Sequence, residues 1–524
     1  MARQIREQRS RNPGIPTKAL QEELEQKLQI SVYWMKAFRA KTQASTDNKG
    51  DFHTQFSLLR DYCEELKLQN PGTTIKIEVE RSCNPEATTR QFKRIYVCIG
   101  ALKEGWKECM RDLIGLDGAF MRGPYPGQVL TAVGVDSNNG IYPVAFAVVE
   151  AETRDSWTWF LECLGLDLEL ESHYNFTFIS DRQKGLIQAI GNVFPSAEHR
   201  YCVKHIHENM KHHWRGKLYK DIFWRCATAT TVPGFKATMA QMKRLNVDAY
   251  NWLRKIDPQH WSRSHFSGRC KSDMLLNNLC ECLNGQIVLA REKPIIGCLD
   301  FIRGYLMKRI VLIQKVIDKS KGPLTPAAMD LMKVIEKEAN ECKVTWNGGV
   351  KYQVNAPWSD QHIVDTDQMS CTCRKWELSG LPCKHAYAVN WDMNKFGRKV
   401  GKIESWAHRC YWLDTWMEAY SFKVNPVTGT TTWPKSTCPI GLTPPIHHTP
   451  VGRPKKKRKR GLYEDEPLSK EGKLSRKIHF GRCTQCGNKG HNARTCKGQP
   501  GVTNAGVNNN NQQARSEAGV NLCY

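Results

Sequence analysis

The chain has 524 residues, 40% hydrophobic and 25% charged, and 77 Lys and Arg set against 52 Asp and Glu give a formal net charge of +25. So basic a balance points to a polyanionic partner, nucleic acid before an anionic membrane surface, and no apolar run approaches the roughly 18 residues that crossing a bilayer takes. The start, Met1 to Arg6, has no apolar stretch of the kind that leads export, and 21 cysteines, an odd number, argue against a disulfide framework and for thiols packed in a core or ligating metal.

Residues 1–45 form a basic helical region. Leu20, Leu24 and Leu28 recur at every fourth position, one stripe of an amphipathic helix. Val32, Met35 and Phe38 follow at three-residue steps and predict one face of a second helix. The pair reads either as a helix-turn-helix or as a helical hairpin packed on the next domain. Residues 46–110 read as an α+β region: 74–79 alternate as a half-buried strand does, and 94–100 predict another strand.

From residue 111 the chain changes character. Asp112 to Asp117 is a short apolar strand ending on a carboxylate. Residues 128–135 and 141–149 are two apolar strands joined by Asp136-Ser137-Asn138-Asn139-Gly140, a hairpin signal. A helix follows with Trp157, Phe160, Leu161 and Leu164 on one side, then a strand from Phe176 to Asp181 that again ends on a carboxylate, then a helix over 183–193. Three strands, helix, strand, helix is the order of a mixed sheet with helices on its faces, so the fold class is α/β. Residues 206–270 read as a helical insertion, 277–290 and 298–318 as further helices, and 341–356 as strand. The Pro- and Lys-rich stretch 445–480 predicts a basic linker, and 499–524, with Asn508 to Asn511, a disordered tail.

Two strands that each end in Asp place Asp117 and Asp181 together outside the strand ends, where ligands of open α/β sheets sit. Two carboxylates at short range repel, and a hard divalent cation, Mg²⁺ or Mn²⁺, relieves the repulsion. Glu281, a charged residue on a helix with an apolar opposite face, is the best third carboxylate. On pattern alone the rival is strong, because an Asp at a strand end is more often a turn or cap residue.

Cys371-x-Cys373 and Cys383-x-His385, nine residues apart, supply the four ligands of a closed tetrahedral zinc site. The pattern resembles the SWIM zinc finger and assigns a module to 341–405, with DNA or a protein as its partner. Cys483-x2-Cys486-x4-His491-x4-Cys496 has the spacing of a CCHC zinc knuckle over 481–498. Knuckles stack single-stranded nucleic acid on an aromatic residue, but Thr484 and Asn492 stand at those positions, leaving Arg482, Lys489 and Arg494 for phosphates. Between the modules run Arg453, Lys455, Lys456, Lys457, Arg458, Lys459 and Arg460, a nuclear import signal ahead of a DNA-backbone patch. Cys202-x2-His205 gives only two ligands, too few for zinc, and reads as a structural or DNA-positioning pair.

The stretches Leu116-Asp117-Gly118, Trp157 to Leu161, Ile179-Ser180-Asp181-Arg182-Gln183-Lys184-Gly185 and Asn277-Asn278-Leu279-Cys280-Glu281 resemble the Mutator-like element transposases of plants. The resemblance runs from about residue 15 to about 498. It implies a ribonuclease-H-like core over 111–340, with Asp117, Asp181 and Glu281 as the metal-binding carboxylates of a DDE enzyme acting on DNA at terminal inverted repeats. It further implies assembly as a homo-oligomer on paired ends, while the basic run predicts a place in the nucleus and the lack of a long apolar run predicts no membrane partner. Family members usually carry a further N-terminal DNA-binding zinc module. The chain begins just before the helix pair, so the expectation is a copy without that module. Two rivals stand: a catalytically inactive, domesticated DNA-binding protein acting in transcription, similar in layout to the far-red response regulators of plants, and an RNA-binding protein working through its knuckle.

Overall fold

The computed structural model describes residues 16–28, 31–39 and 52–446, with short breaks at 82–83, 85, 110, 123–124, 126, 171–175, 359 and 399, and the backbone of 469–470 and 473–474. The basic run from Arg453 to Arg460, the knuckle ligands Cys483, Cys486, His491 and Cys496, and the tail lie outside the described residues. The chain up to His447 is one compact unit and 448–523 a second, within which 469–470 pair with 473–474.

The main sheet of the first unit is built from β1 (Thr74–Val79), β2 (Thr89–Cys98), β3 (Leu113–Phe120), β4 (Gln128–Val135), β5 (Ile141–Val149), β6 (Thr177–Ser180) and β7 (Glu198–Tyr201), in the order β1-β2-β5-β4-β3-β6-β7. The first five are antiparallel to their neighbours, while β3, β6 and β7 run parallel. This is the mixed sheet expected of a ribonuclease-H-like core. β4 is buried along its whole length and β5 along nearly all of it. A strand covered on both faces needs an unbroken apolar run rather than alternation, which is what these sequences supply. Helices α1 (Thr17–Leu28), α2 (Leu59–Gln69), α3 (Gly100–Glu108), α4 (Arg154–Leu168) and α5 (Lys184–Val193) surround or precede the sheet.

The insertion is α6 (Val203–Lys211), α7 (Lys217–Thr228), α8 (Val232–Leu245) and α9 (Val247–Arg254), followed by two short turns. It has its own core, with Phe223 stacked on Trp261 at 5.5 Å and Phe235 against the same ring. Then come α10 (Asn278–Gln286), α11 (Ile295–Ile317) and α12 (Pro326–Ala339). A small antiparallel sheet comes next, of β8 (Lys343–Trp346), β9 (Lys351–Ala356), β10 (Asp360–Asp365) and β11 (Ser370–Cys371), with α13 (Lys375–Ser379) and α14 (Lys384–Lys395).

Four sequence expectations need correction. β3 does not end at Asp117: it continues to Phe120 because the long partner β4 pairs with it as far as Gln128. β2 starts earlier than residue 94, and Gly100 opens α3 instead of closing a strand. β7 was not predicted. Around the second N-terminal helix, 34–39, Val32 just before it and Ala37 within it are buried but Met35 and Phe38 are exposed, and Phe38 stacks on Trp34 at 5.4 Å.

Residues 406–444 carried no sequence assignment. The structure brings them back to the first core through α15 (Leu413–Ala419). Asp136, fully buried in the β4–β5 turn, accepts backbone N–H groups from Asn138 (3.0 Å) and Gly140 (2.6 Å) on Oδ1. Its Oδ2 accepts from Trp416 Nε1 (3.3 Å) and Tyr420 OH (2.9 Å). Asp136→Ala strands all four donors, and an unsatisfied buried donor costs about 1–3 kcal/mol. We expect a loss of several kcal/mol, on the order of 3 or more, in urea unfolding with zinc present. A loss below about 1 kcal/mol would show that the turn and α15 are not held by this carboxylate.

Candidate catalytic site and zinc centre

The parallel register of β3 and β6 sets Leu116 against Ser180, so Asp117 and Asp181 are the next residues on neighbouring strands. Both are half-buried. Asp181 Oδ1 accepts the Gln183 backbone N–H (3.2 Å), which turns the chain into α5. Asp117 Oδ2 accepts from Asn284 Nδ2 on α10 (2.8 Å). Burial first, then the charges of Asp181 and Glu152, push the Asp117 carboxyl up to about 7, against the Gly118 N–H and Asn284. A carboxyl in that state takes up either a proton or a cation.

Glu152, which the sequence did not single out, is a fourth carboxylate here. Burial and then Asp181 raise its pKa. Its Oε1 accepts from Trp157 Nε1 (3.3 Å), and the Thr153–Ser156 capping box of α4 fixes the loop that carries it. Gly118 gives it room: a Cβ there would stand 3.0 Å from Glu152 Cδ and 2.8 Å from Gln128 Oε1.

Helix α10 is pinned on β3. Asn277 Nδ2 donates to Leu116 O (2.9 Å), and a Cβ on Gly115 would meet Asn277 Oδ1 at 2.8 Å and Cys280 Sγ at 3.0 Å. Glu281, on the same helix, is half-buried, and its Oε2 pairs with Lys204 Nζ at 2.7 Å. Thus Asp117 and Asp181 are brought together, while Glu281 stands on the helix that touches Asp117 and is engaged by a lysine. Among the described residues, sets of three or more Cys, His, Asp or Glu ligand atoms within 4.8 Å of one another occur only around His385, so Glu281 is not gathered that closely to the pair.

Cys202 and His205 lie at the start of α6, beside this site. Burial opposes the Cys202 thiolate, but His205 and the backbone N–H of Asn277 outweigh it and hold the thiol below its ordinary value. Pairing with Cys202, against burial and aided by Asp181 and Glu281, holds the His205 imidazole above its ordinary range. No third ligand joins them within 4.8 Å among the described residues. The pair therefore stands beside the carboxylates with no further ligand close enough among the described residues to fill a tetrahedral zinc site.

The ligands Cys371, Cys373, Cys383 and His385 do converge, all buried, with their ligand atoms within 4.8 Å of one another. Arg374 and Gly380, both in the left-handed region at φ 62° and 80°, make the turns that fold the Cys-x-Cys hairpin onto the Cys-x-His end of α14. Three crowded thiols cannot all ionise unaided: hydrogen bonding with Cys373 and Cys383 raises Cys371, burial raises Cys383, and hydrogen bonds from both hold Cys373 low. A soft dication resolves the conflict, and the Cys₃His donor set fits zinc.

The zinc loop also grips the insertion. Arg374 donates to the carbonyls of Thr230 (3.3 Å), Ser264 and Phe266 (2.6 Å), and Leu378 is buried in the insertion core. Gly268, at φ 74°, lies so close to Glu377 that a Cβ would stand 3.0 Å from its carbonyl oxygen.

Residues 113–209, from β3 to α6, match the family model of the MULE transposase domain, and residues 352–394 match that of the SWIM zinc finger. No curated protein matches the chain.

Asp117 sets a pH dependence. A carboxyl raised from 3.8 to about 7 keeps its proton longer in the fold than in the unfolded chain, so metal-free stability falls as pH rises through that window. Asp117→Asn should be neutral near pH 4 and stabilising at pH 8, by on the order of 4 kcal/mol at most, in melts without added Mg²⁺ or Mn²⁺. Equal effects at both pH values would refute the raised pKa.

Removing zinc should loosen more than its own loop. With Cys383→Ser, amide exchange should rise over 371–385 and over 264–268, while β4 and β5 stay protected. Unchanged exchange at 264–268 would show that the grip of Arg374 does not need the metal.

Proposed function

We propose that this chain, a Mutator-like transposase by its MULE transposase domain and SWIM zinc finger, binds DNA and carries out metal-dependent phosphodiester cleavage and strand transfer. The observation that carries the reading is the pair Asp117 and Asp181 on adjacent parallel strands, with Asp117 poised by burial and like charge to accept a cation. The donor set fits Mg²⁺ or Mn²⁺, whose ligands are hard oxygens. When bound, such ions supply Lewis acidity and lower the pKa of water for an in-line attack on phosphorus.

The chain's own residues do the rest. Asp117 and Asp181 would hold the metal, and Asn284 orients Asp117 through its 2.8 Å hydrogen bond. Glu281, now paired with the half-exposed Lys204, would complete the set if it left that partner. His205, its proton affinity raised by Cys202, Asp181 and Glu281, offers a ring N–H to a phosphate oxygen. Terminal inverted repeats are the specific DNA, assembly on paired ends is homo-oligomeric, and the run from Arg453 to Arg460 directs the chain to the nucleus. The SWIM site takes one structural zinc, and Cys483, Cys486, His491 and Cys496 take a second, with single-stranded nucleic acid as the knuckle's partner. No helix among the described residues is long and apolar enough to cross a membrane.

A second reading, a domesticated or inactive DNA-binding protein, is favoured by one observation: Glu281 is tied to Lys204 instead of gathered with the two Asp residues.

Nicking and strand transfer on DNA carrying candidate terminal repeats separate the two. The enzyme reading expects Mn²⁺-dependent products that fall to background in Asp181→Ala and Asp117→Ala. Absence of products, with zinc bound and duplex DNA still shifted by both proteins, would support the second reading.

A further inference from the structure

The two ring nitrogens of His385 have different surroundings. Nδ1 lies 3.6 Å from Cys371 Sγ and 3.8 Å from Cys383 Sγ, so it is the nitrogen that faces the metal position. Nε2 is buried, makes no hydrogen bond, and stands 3.4 Å from Asp360 Oδ2. Asp360 opens β10, in a different element from any zinc ligand. Its carboxylate is fixed from two sides: Lys384 Nζ on Oδ2 at 2.7 Å and His362 Nε2 on Oδ1 at 2.8 Å. His362 in turn lies 2.9 Å, through Nδ1, from the hydroxyl of Thr372, the residue between two zinc cysteines. The chain of contacts therefore starts at the Cys-x-Cys turn, passes through β10, and ends on the buried nitrogen of the fourth ligand.

A histidine that binds metal through Nδ1 must carry its proton on Nε2, and a buried N–H without an acceptor is costly. A carboxylate facing that nitrogen selects the tautomer, aligns the ring and strengthens it as a donor. We propose that Asp360 is the positioning residue of the zinc centre, orienting His385 from outside the ligand set, with Lys384 alone sufficient to hold in place the oxygen that faces Nε2. This goes beyond the transposase reading and rests only on the zinc reading of the cluster.

The test is zinc affinity of the full chain, read by competition with a chromophoric chelator. Asp360→Ala should weaken zinc binding about 10- to 100-fold. If Asp360 acts through the imidazole, the penalty should shrink to within about threefold in a His385→Cys background, where there is no ring to orient. The same loss in both backgrounds would mean Asp360 only supports the local fold, and unchanged affinity in Asp360→Ala alone would also overturn the proposal. Should His385→Cys bind no zinc, His362→Ala decides. It breaks contacts on the same strand but leaves the carboxylate beside Nε2, so it should stay within about threefold of the parent. A loss as large as that of Asp360→Ala overturns the proposal. A parent protein that takes up no zinc would sink the zinc reading itself, an outcome distinct from the other two.

Discussion

Two half-buried carboxylates on adjacent parallel strands repel each other more than they would in water, because little solvent screens them. Much of the surrounding structure answers that repulsion. Asn284 and the Gly118 N–H stabilise the Asp117 charge, and the Gln183 N–H does so for Asp181. Lys204 pairs with Glu281, and His205, whose proton affinity Cys202 raises, lies nearby. Helix α10, which carries Asn284, comes close because Gly115 lacks a side chain, and Gly118 makes the same room for Glu152 beside the β3 backbone. The glycines at 115 and 118 are thus requirements of the electrostatics rather than of the strand, whose propensity they lower.

The same economy joins the zinc module to the core. A Cys-x-Cys turn needs a residue in the left-handed region, and here that residue is Arg374, whose side chain then reaches three insertion carbonyls. The insertion gains partners for backbone groups that its short turns leave open, and the module buries Leu378 in a core not its own. On spacing alone the module's partner was DNA or a protein. Part of its surface is already engaged within the chain.

Legibility in the sequence tracks how strongly each feature is constrained. Zinc ligands must stand at fixed spacings, so Cys371, Cys373, Cys383 and His385 could be read directly. Asp117 and Asp181 were visible because each breaks an apolar strand. β7 was not: Glu-His-Arg-Tyr has no apolar alternation. It is buried because Arg200 pairs with Glu198 (2.7 Å), bonds the Ser272 carbonyl (2.7 Å) and lies over the Phe266 ring. Glu152 and Asn284 were equally hidden. A carboxylate in a loop and an amide on a helix look the same in sequence whether they face solvent or a site, and only the approach permitted by Gly118 and the pinning of α10 tells them apart.

That pinning constrains how Glu281 can join the two aspartates. Asn277 is bonded to Leu116, Cys280 rests on Gly115, and Asn284 is bonded to Asp117, so α10 is held along its length and cannot slide as a body without breaking all three contacts. The Glu281 side chain is free of such ties except for Lys204, a pair whose side chains are 36% and 48% exposed. An ion pair that open to solvent is worth about 0–1 kcal/mol. A divalent cation bound at Asp117 and Asp181 would compete with Lys204 on unequal terms, since it would carry twice the charge in a drier place. With α10 held, any approach of Glu281 to the two aspartates would have to come from rotation about its side-chain torsions, fast on the ps–ns scale for exposed groups, and not from a rearrangement of the fold.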